Sequence, residues 1–472
     1  MKIEQIYTGC LAQGAYYIES EGEVAIVDPL REVKPYIERA ERDGATIKYV
    51  LETHFHADFV SGHIDLAKKT GADIVYGPNA QTGFAAYVAK DGEELSLGKI
   101  KIRVLHTPGH TMESTCYLLI DEKGKEMALF SGDTLFIGDV GRPDLAQKSD
   151  LTVDDLAGYL FDSLRTKVMT LPDDVIVYPA HGAGSACGKN MSKETTDTLG
   201  NQKLFNYALR ANMSREEFIK EVTDGLLAPP QYFPQNVMLN KEGYESIDTV
   251  LSRGAQPLNP EAFEAAANET SALVLDVRPA QVFSKGFIPN SINIGLGGQF
   301  APWVGALVPD VRHELLLVCE PDQVQETLTR LARVGYDNVL GYLEGGFAAW
   351  QASGKEVDTI TSISAGELAD RLEKEQVTVV DVRRPGEFEA EHADGAKNLP
   401  LDYISEHMAE FPKDETFYVH CAGGYRSMMA ASILKARGYD NVIDVAGGFA
   451  DMQKTGRIKT TDYVCPTTMK KG

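Results

Sequence analysis

Thr53-His54-Phe55-His56-Ala57-Asp58-Phe59 follows directly on the apolar run Tyr49-Val50-Leu51. The apolar run reads as a strand, and the residues after it put two imidazoles and a carboxylate within five positions. Side chains released from a strand end into a loop can converge on one metal ion, and few structural purposes need His-x-His-x-Asp. The arrangement recurs along the chain. His106-Thr107-Pro108-Gly109-His110-Thr111 follows the alternating run 100–105, Ser131-Gly132-Asp133-Thr134-Leu135 follows the run 127–130, and Tyr178-Pro179-Ala180-His181-Gly182 closes the run that starts at Val175. Glycine or proline beside each candidate ligand lets the backbone turn sharply where a sheet gathers its site. A lone histidine past a strand is ordinarily a core or surface residue, and aspartate after glycine is often a turn. Ligand-capable side chains past all of these strand ends outweigh that reading.

The chain has 472 residues, more than one ordinary core holds, so about two to four domains are expected. An apolar fraction of 43% and a charged fraction of 24% belong to a globular protein in water. A net charge of −23 repels polyphosphates and anionic lipid, which excludes nucleic acid and membrane as partners. That charge reads as a solvated surface and is silent about substrate. Met1-Lys2-Ile3-Glu4-Gln5-Ile6 lacks the apolar run of a signal peptide, and no stretch approaches the ~20 apolar residues of a membrane helix. Cys10, Cys116, Cys187, Cys319, Cys421 and Cys465 are scattered with no Cys-x-x-Cys pair, which implies a reducing cytoplasm and cysteines that act singly.

The first part of the chain, 1–245, alternates strand-like runs with loops, and the pattern at 33–44 predicts a helix stopped by Gly44. Many short strands with helices between them imply two sheets flanked by helices. The segment 225–240, with Pro229, Pro230 and Pro234, reads as the end of this domain and a linker. An internal duplication follows. Leu275-Asp276-Val277-Arg278 recurs as Val380-Asp381-Val382-Arg383, Gly335-Tyr336-Asp337-Asn338-Val339 as Gly438-Tyr439-Asp440-Asn441-Val442, and Gly345-Gly346-Phe347 as Gly447-Gly448-Phe449. The offset, a little over 100 residues, is a domain length, so 246–357 and 358–472 are expected to be two small α/β domains with parallel sheets.

The strand-end pattern resembles the metallo-β-lactamase superfamily and implies an αββα sandwich over most of 1–245. Gly138-Asp139-Val140-Gly141-Arg142-Pro143-Asp144 resembles its persulfide dioxygenase branch, in which one Fe(II) is held by two histidines and an aspartate. Carried over, the resemblance makes His54, His110 and Asp133 the ligands of one Fe(II) per chain. It sets His56, Asp58 and His181 just outside the coordination sphere and brings Arg142 near an anionic thiol carrier. Related sites that hold two ions carry a histidine directly after the aspartate, where this chain has Phe59. That loss implies a single ion and three open coordination positions for O₂ and a sulfur substrate. Asp58 is expected to fix a histidine tautomer. The competing resemblance is to glyoxalase II, a dinuclear zinc thioester hydrolase with His56 and Asp58 as direct ligands. Cys187, in a glycine-rich loop six residues past His181, reads first as a small buried residue and second as a thiol at the substrate entrance.

The last copy carries Thr416-Phe417-Tyr418-Val419-His420-Cys421-Ala422-Gly423-Gly424-Tyr425-Arg426-Ser427. A strand delivers a cysteine into a short loop ahead of a helix starting near Ser427. Gly423 and Gly424 permit a nest of inward N–H groups, and Arg426 adds positive charge, conditions that stabilise a thiolate. This segment resembles a rhodanese, which implies that Cys421 accepts a sulfane sulfur as a persulfide while Gly423, Gly424 and Arg426 hold the anion. The middle copy has Cys319-Glu320-Pro321-Asp322 instead, where negative charge opposes a nucleophilic thiol, so it is expected to be silent, structural or docking. The loop 299–304 is expected to pack on a neighbour or serve as an ordinary anchor. The whole order resembles persulfide dioxygenase–rhodanese fusions. The implied substrates are a low-molecular-weight thiol persulfide, O₂, and sulfite or thiosulfate, in sulfide detoxification. The identity of the thiol, the direction of transfer and the oligomeric state, including a homo-oligomer, stay open at this level.

Overall fold

Ile100–His106 alternates buried and outward side chains and pairs antiparallel with Glu94–Leu97 on one side. On its other side runs Thr115–Ile120, buried at every residue because sheet neighbours and both faces are covered. Residues 1–145, 151–189, 191–226 and 228–464 are described by this computed structural model; Cys465 lies outside them. The second sheet of the first domain is completed by Glu126–Gly132, Ile176–Pro179 and Asp197–Thr198. The first sheet runs in sequence order through Lys2–Thr8, Gln13–Ser20, Glu23–Val27, Thr46–Leu51, Asp73–Tyr76 and Tyr87–Val88. Tyr16, Ile18, Val27 and Leu51 of the first sheet meet Leu97, Ile102, Val104, Tyr117 and Phe130 of the second in one hydrophobic core.

Helices close the outer faces. Lys34–Asp43 and His63–Thr70 lay Tyr36, Ala40 and Leu66 on the first sheet, and Val153–Ser163 lays Ala157 and Leu160 on the second. Gly44 ends the first of these helices in the left-handed region (φ 63°), the expected stop. The result is the four-layer αββα sandwich.

The segment 225–240 is not a linker. Helix Phe233–Glu242 occupies its second half, with Asn236 and Asn240 fully buried. Of its buried residues only Phe233 is apolar, and the other two are the amides Asn236 and Asn240, so no apolar period marks it. The loop expected at 299–304 is likewise part of a helix, Phe300–Leu307.

Two further sheets have one shared order and are parallel throughout. One runs Pro257–Leu258, Val339–Leu343, Leu315–Val318, Leu273–Asp276, Ile292–Asn293. The other runs Ser362–Ser364, Val442–Ala446, Phe417–His420, Thr378–Asp381, Lys397–Asn398. The duplication extends to side chains: Arg278 pairs with Asp276 and lies 4.2 Å over Phe347, and Arg383 pairs with Asp381 and lies 4.1 Å over Phe449. Both parallel sheets belong to one compact unit, Leu251–Val308, Arg312–Leu328 and Asn338–Gly472; the other unit is Met1–Val250 with Pro309–Val311 and Thr329–Asp337. No helix of the described residues is long and apolar enough to cross a membrane.

Candidate metal centre and cysteine loop

Strands Ile100–His106, Glu126–Gly132 and Ile176–Pro179 run in one direction, because the first is antiparallel to Thr115–Ile120, which is antiparallel to the second, and the second is parallel to the third. Their C-terminal ends therefore share one edge of the sheet, and His110, Asp133 and His181 leave from it. The Thr115 N–H donates to the Thr53 carbonyl (2.9 Å), tying the loop that carries His54, His56 and Asp58 to the same edge.

His54, His110 and Asp133 converge with ligand atoms within 4.8 Å of one another, all three buried. Asp133 Oδ2 lies 3.4 Å from His110 Nε2 and 3.9 Å from His54 Nε2. His181 Nε2 stands 3.6 Å from Asp133 Oδ1 and 3.5 Å from Asp58 Oδ2. His56, Asp58 and His181 form a second convergent group beside the first. His56 Nε2 faces Asp28 Oδ1 at 3.1 Å and Glu52 Oε2 at 3.6 Å, and the Phe59 ring packs 4.3 Å from the His56 ring.

Two neighbours set tautomers. The Arg142 carbonyl can only accept, so His110 Nδ1 carries the proton it donates there (2.8 Å), and Nε2 keeps its lone pair toward Asp133. Gly141 permits that approach, since a Cβ there would lie 2.0 Å from the Asp133 carbonyl and 3.0 Å from His110 Nδ1. Thr53 Oγ1 donates to Asp28 Oδ2 (2.8 Å), which leaves it to accept from His54 Nδ1 (3.0 Å) and frees Nε2. Asp58 was expected in this capacity; it faces His181 instead.

The electrostatics suit a cation. Burial, then the imidazoles of His56, His110 and His181, push His54 well below the ordinary histidine range, keeping it neutral and able to ligate. Burial opposes a charge on His56, but Asp28, followed by Glu52 and Asp58, outweighs it and raises that group to about 9. Burial also raises Asp58 and Glu52. Both carboxylate oxygens of Asp133, both ring nitrogens of His181 and Asp58 Oδ1 are buried without a hydrogen-bond partner. Each orphaned buried group costs about 1–3 kcal/mol, so the donor set fits a bound metal ion.

Arg142 is tied down within the protein. Its guanidinium is buried and spans both oxygens of Asp144 (2.6 and 2.7 Å), with a third bond to the Ala186 carbonyl. A cavity of about 280 Å³ opens beside His110, lined among others by Phe55, Ala57, Met112, Val237, Glu113 and Lys241, so the cleft's ammonium is Lys241. Cys187 is buried, as its first reading expects, yet its thiol also converges with Asp133 and His181. Burial, then Asp58 and Asp133, raise its pKa well above the usual thiol value. Sequence reading missed Asp28, Glu52, Thr53 and Asn240. Asn240 Nδ2 donates to the His56 and Phe59 carbonyls and its Oδ1 accepts from the Ser61 N–H, each at 2.8 Å. The turn signal Val27-Asp28-Pro29 was the one available hint, for Asp28.

In the last copy, Cys421 directly follows strand Phe417–His420, and the Gly424 N–H donates to its Sγ (3.1 Å) ahead of helix Tyr425–Ala436. The Phe449 and Ala450 N–H groups donate to the Cys421 and Ala422 carbonyls (2.7 and 3.0 Å). These two bonds fix both carbonyls at the start of the loop. Gly448, at φ +58°, allows this contact, since a Cβ would meet the Cys421 carbonyl oxygen at 2.3 Å. A Cβ at Gly423 would meet nothing within 4 Å, so that side of the loop is open. Arg426 is paired bidentately with Glu387 (2.6 and 2.7 Å), which lowers its net charge at the loop. Burial opposes ionisation of Glu387, and Arg426 overcomes it, holding the carboxyl below the usual range. In the middle copy, burial first, then Asp276, Glu320 and Asp322, push Cys319 up to about 12.

The metallo-β-lactamase superfamily model matches residues 8–181, and the rhodanese-like domain model matches 259–353 and 364–455. A probable hydroxyacylglutathione hydrolase of Schizosaccharomyces pombe is 31% identical over 166 residues, 34% of this chain and 60% of that protein. A hydroxyacylglutathione hydrolase of Haemophilus influenzae is 30% identical over 212 residues, 40% of this chain and 94% of that protein. The crystal structure of a metallo-β-lactamase from Staphylococcus aureus aligns with TM-score 0.64 and 32% identity, over 73% of this chain and 98% of the other. The chain belongs to the metallo-β-lactamase superfamily and carries two rhodanese-like domains behind its metallo-β-lactamase domain.

Proposed function

We propose that this chain is a bifunctional persulfide dioxygenase and sulfurtransferase, with the oxidation in 1–245 and the transfer in 358–472. The carrying observation is the buried convergence of His54, His110 and Asp133, with Phe59 against His56 where a second site would need another nitrogen. These three residues would hold one ferrous ion, whose open positions supply O₂ chemistry on sulfur. The net reaction is RS–SH + O₂ + H₂O → RSH + H₂SO₃. Thr53 and the Arg142 carbonyl orient the two imidazoles, while Phe55, Met112 and Val237 give the cleft its apolar wall. Lys241 offers an ammonium to an anionic thiol carrier, the part Arg142 was expected to take.

At the second site, the Cys421 thiolate attacks the outer sulfur of thiosulfate. The S–S bond breaks, sulfite leaves, and Cys421 becomes a persulfide; the reverse run makes thiosulfate from sulfite. Gly424 stabilises the sulfur anion through its N–H. The free thiols among the described residues suit a reducing cytoplasm.

The Irving–Williams order favours zinc over Fe(II) in such a donor set, so the protein should be prepared anaerobically before metal analysis and an oxygen-electrode assay with glutathione persulfide. A single iron per chain and stoichiometric O₂ uptake, lost in His110→Ala, are expected. A second reading is a dinuclear zinc thioester hydrolase. It is favoured by the adjacent His56–Asp58–His181 group and by relatives named hydroxyacylglutathione hydrolases. Lactoylglutathione hydrolysis by a two-zinc protein without O₂ uptake would establish that reading instead.

A further inference from the structure

Helix Tyr425–Ala436, which follows the Cys421 loop, is buried from Ser427 through Leu434 without interruption. A helix against one sheet exposes a polar face; this one has none because the middle copy covers its other side. Within that one compact unit, the Asn293 N–H donates to Ser432 Oγ (3.0 Å) and Gln281 Nε2 donates to Asp444 Oδ2 (3.1 Å). Asp444 Oδ1 in turn accepts from Ser427 Oγ (2.7 Å).

The contact nearest the sulfur is Tyr425. Its hydroxyl donates to the Gly295 carbonyl (2.7 Å), and its ring lies in a slot between two glycines of the middle copy. A Cβ at Gly295 would meet Tyr425 Cε2 at 3.3 Å, and one at Gly298 would meet Tyr425 Cζ at 3.3 Å. The duplication shows that the slot is particular to the middle copy. Asn293 and Asn398 hold equivalent positions, each bonding the carbonyls of its own Asp and Arg. Two residues beyond, the middle copy has Gly295 where the last copy has Pro400.

We propose that the middle copy, with its own cysteine silenced, is the positioning half of the Cys421 site: Gly295 and Gly298 clamp Tyr425 and so fix the loop that presents the sulfur. Tyr425 directly follows Gly424, whose N–H binds Cys421 Sγ, so a shift of the tyrosine is a shift of that donor. Tyr425 is a positioning residue and touches no substrate. The inference rests on Cys421 being the sulfur-carrying thiol.

The test uses the full chain with three variants: Tyr425→Phe removes the hydroxyl, Gly295→Val fills the slot, and Ser432→Ala removes an interface bond farther along the helix. Two readouts are taken, thiosulfate sulfurtransferase kinetics and the rate of Cys421 alkylation by iodoacetamide at neutral pH, followed by peptide mass spectrometry. Tyr425→Phe and Gly295→Val should lower kcat about tenfold or more, the usual consequence of a misplaced reacting group. They should slow alkylation of Cys421 and leave KM for thiosulfate nearly unchanged, while Ser432→Ala matches the parent in both readouts. Parent-like kinetics and alkylation in Tyr425→Phe would overturn the inference, as would an equal loss in Ser432→Ala, which would mean general docking. Sulfur transfer that survives Cys421→Ser would sink the functional reading alone, since the alkylation data would still report the loop.

Discussion

Asn240 is fully buried and satisfies two carbonyls and one N–H of the loop that carries His56, Asp58 and Phe59. Asn240→Ala leaves those groups buried without partners, and at about 1–3 kcal/mol for an orphaned group the first domain should lose at least that much stability. A lower urea midpoint with an unchanged slope, together with weaker metal retention on dialysis, would register it. Cys319 makes an opposite kind of prediction. With its thiol pushed up to about 12 by burial and then by Asp276, Glu320 and Asp322, it stays almost wholly protonated near neutral pH. Iodoacetamide at pH 8 should therefore leave Cys319 unmodified in the folded chain and label it only after denaturation, and Cys319→Ala should leave both activities at parental levels.

At the scale of elements, the Gly447-Gly448-Phe449 turn and the Cys421 loop are one device. The start of helix Gly448–Thr455 supplies the N–H groups that bind the Cys421 and Ala422 carbonyls. A methyl group at Gly448 would meet the Cys421 carbonyl oxygen at 2.3 Å in a backbone at φ +58°. Gly448→Ala should therefore move the loop and cut thiosulfate turnover by more than about tenfold, while O₂ uptake by the first domain stays parental. Parallel assays on one preparation decide it; equal loss of both would refute the assignment. The repeated Gly-Gly-Phe was visible as a duplication in the sequence, yet its purpose was not, because a backbone N–H that bonds a distant carbonyl has no residue signature. Helix Phe233–Glu242 was hidden for a related reason: its buried Asn236 and Asn240 look polar to any periodicity test, though Asn240 is spent on the carbonyls of a distant loop.

At the scale of the whole molecule, the proposed function would put two chemistries on one chain, and tethering would raise the local concentration of a reactive sulfur species for the second step. Cys421→Ser should keep O₂ consumption and lose thiosulfate turnover, read by an oxygen electrode and a sulfite assay; joint loss would contradict the division of labour. The αββα sandwich, the paired parallel sheets and the side chains for the candidate metal were legible in the sequence. Strand periods and ligand spacings are properties of near neighbours. What the tertiary structure alone decided is who meets whom. Asn240 bonds the His56 carbonyl across 184 residues, and Tyr425 bonds Gly295 across 130. Arg142, expected at a substrate, spends its guanidinium on Asp144 and its carbonyl on His110. A hydrogen bond depends on position and direction in space, and for such distant partners only the packed chain brings them together.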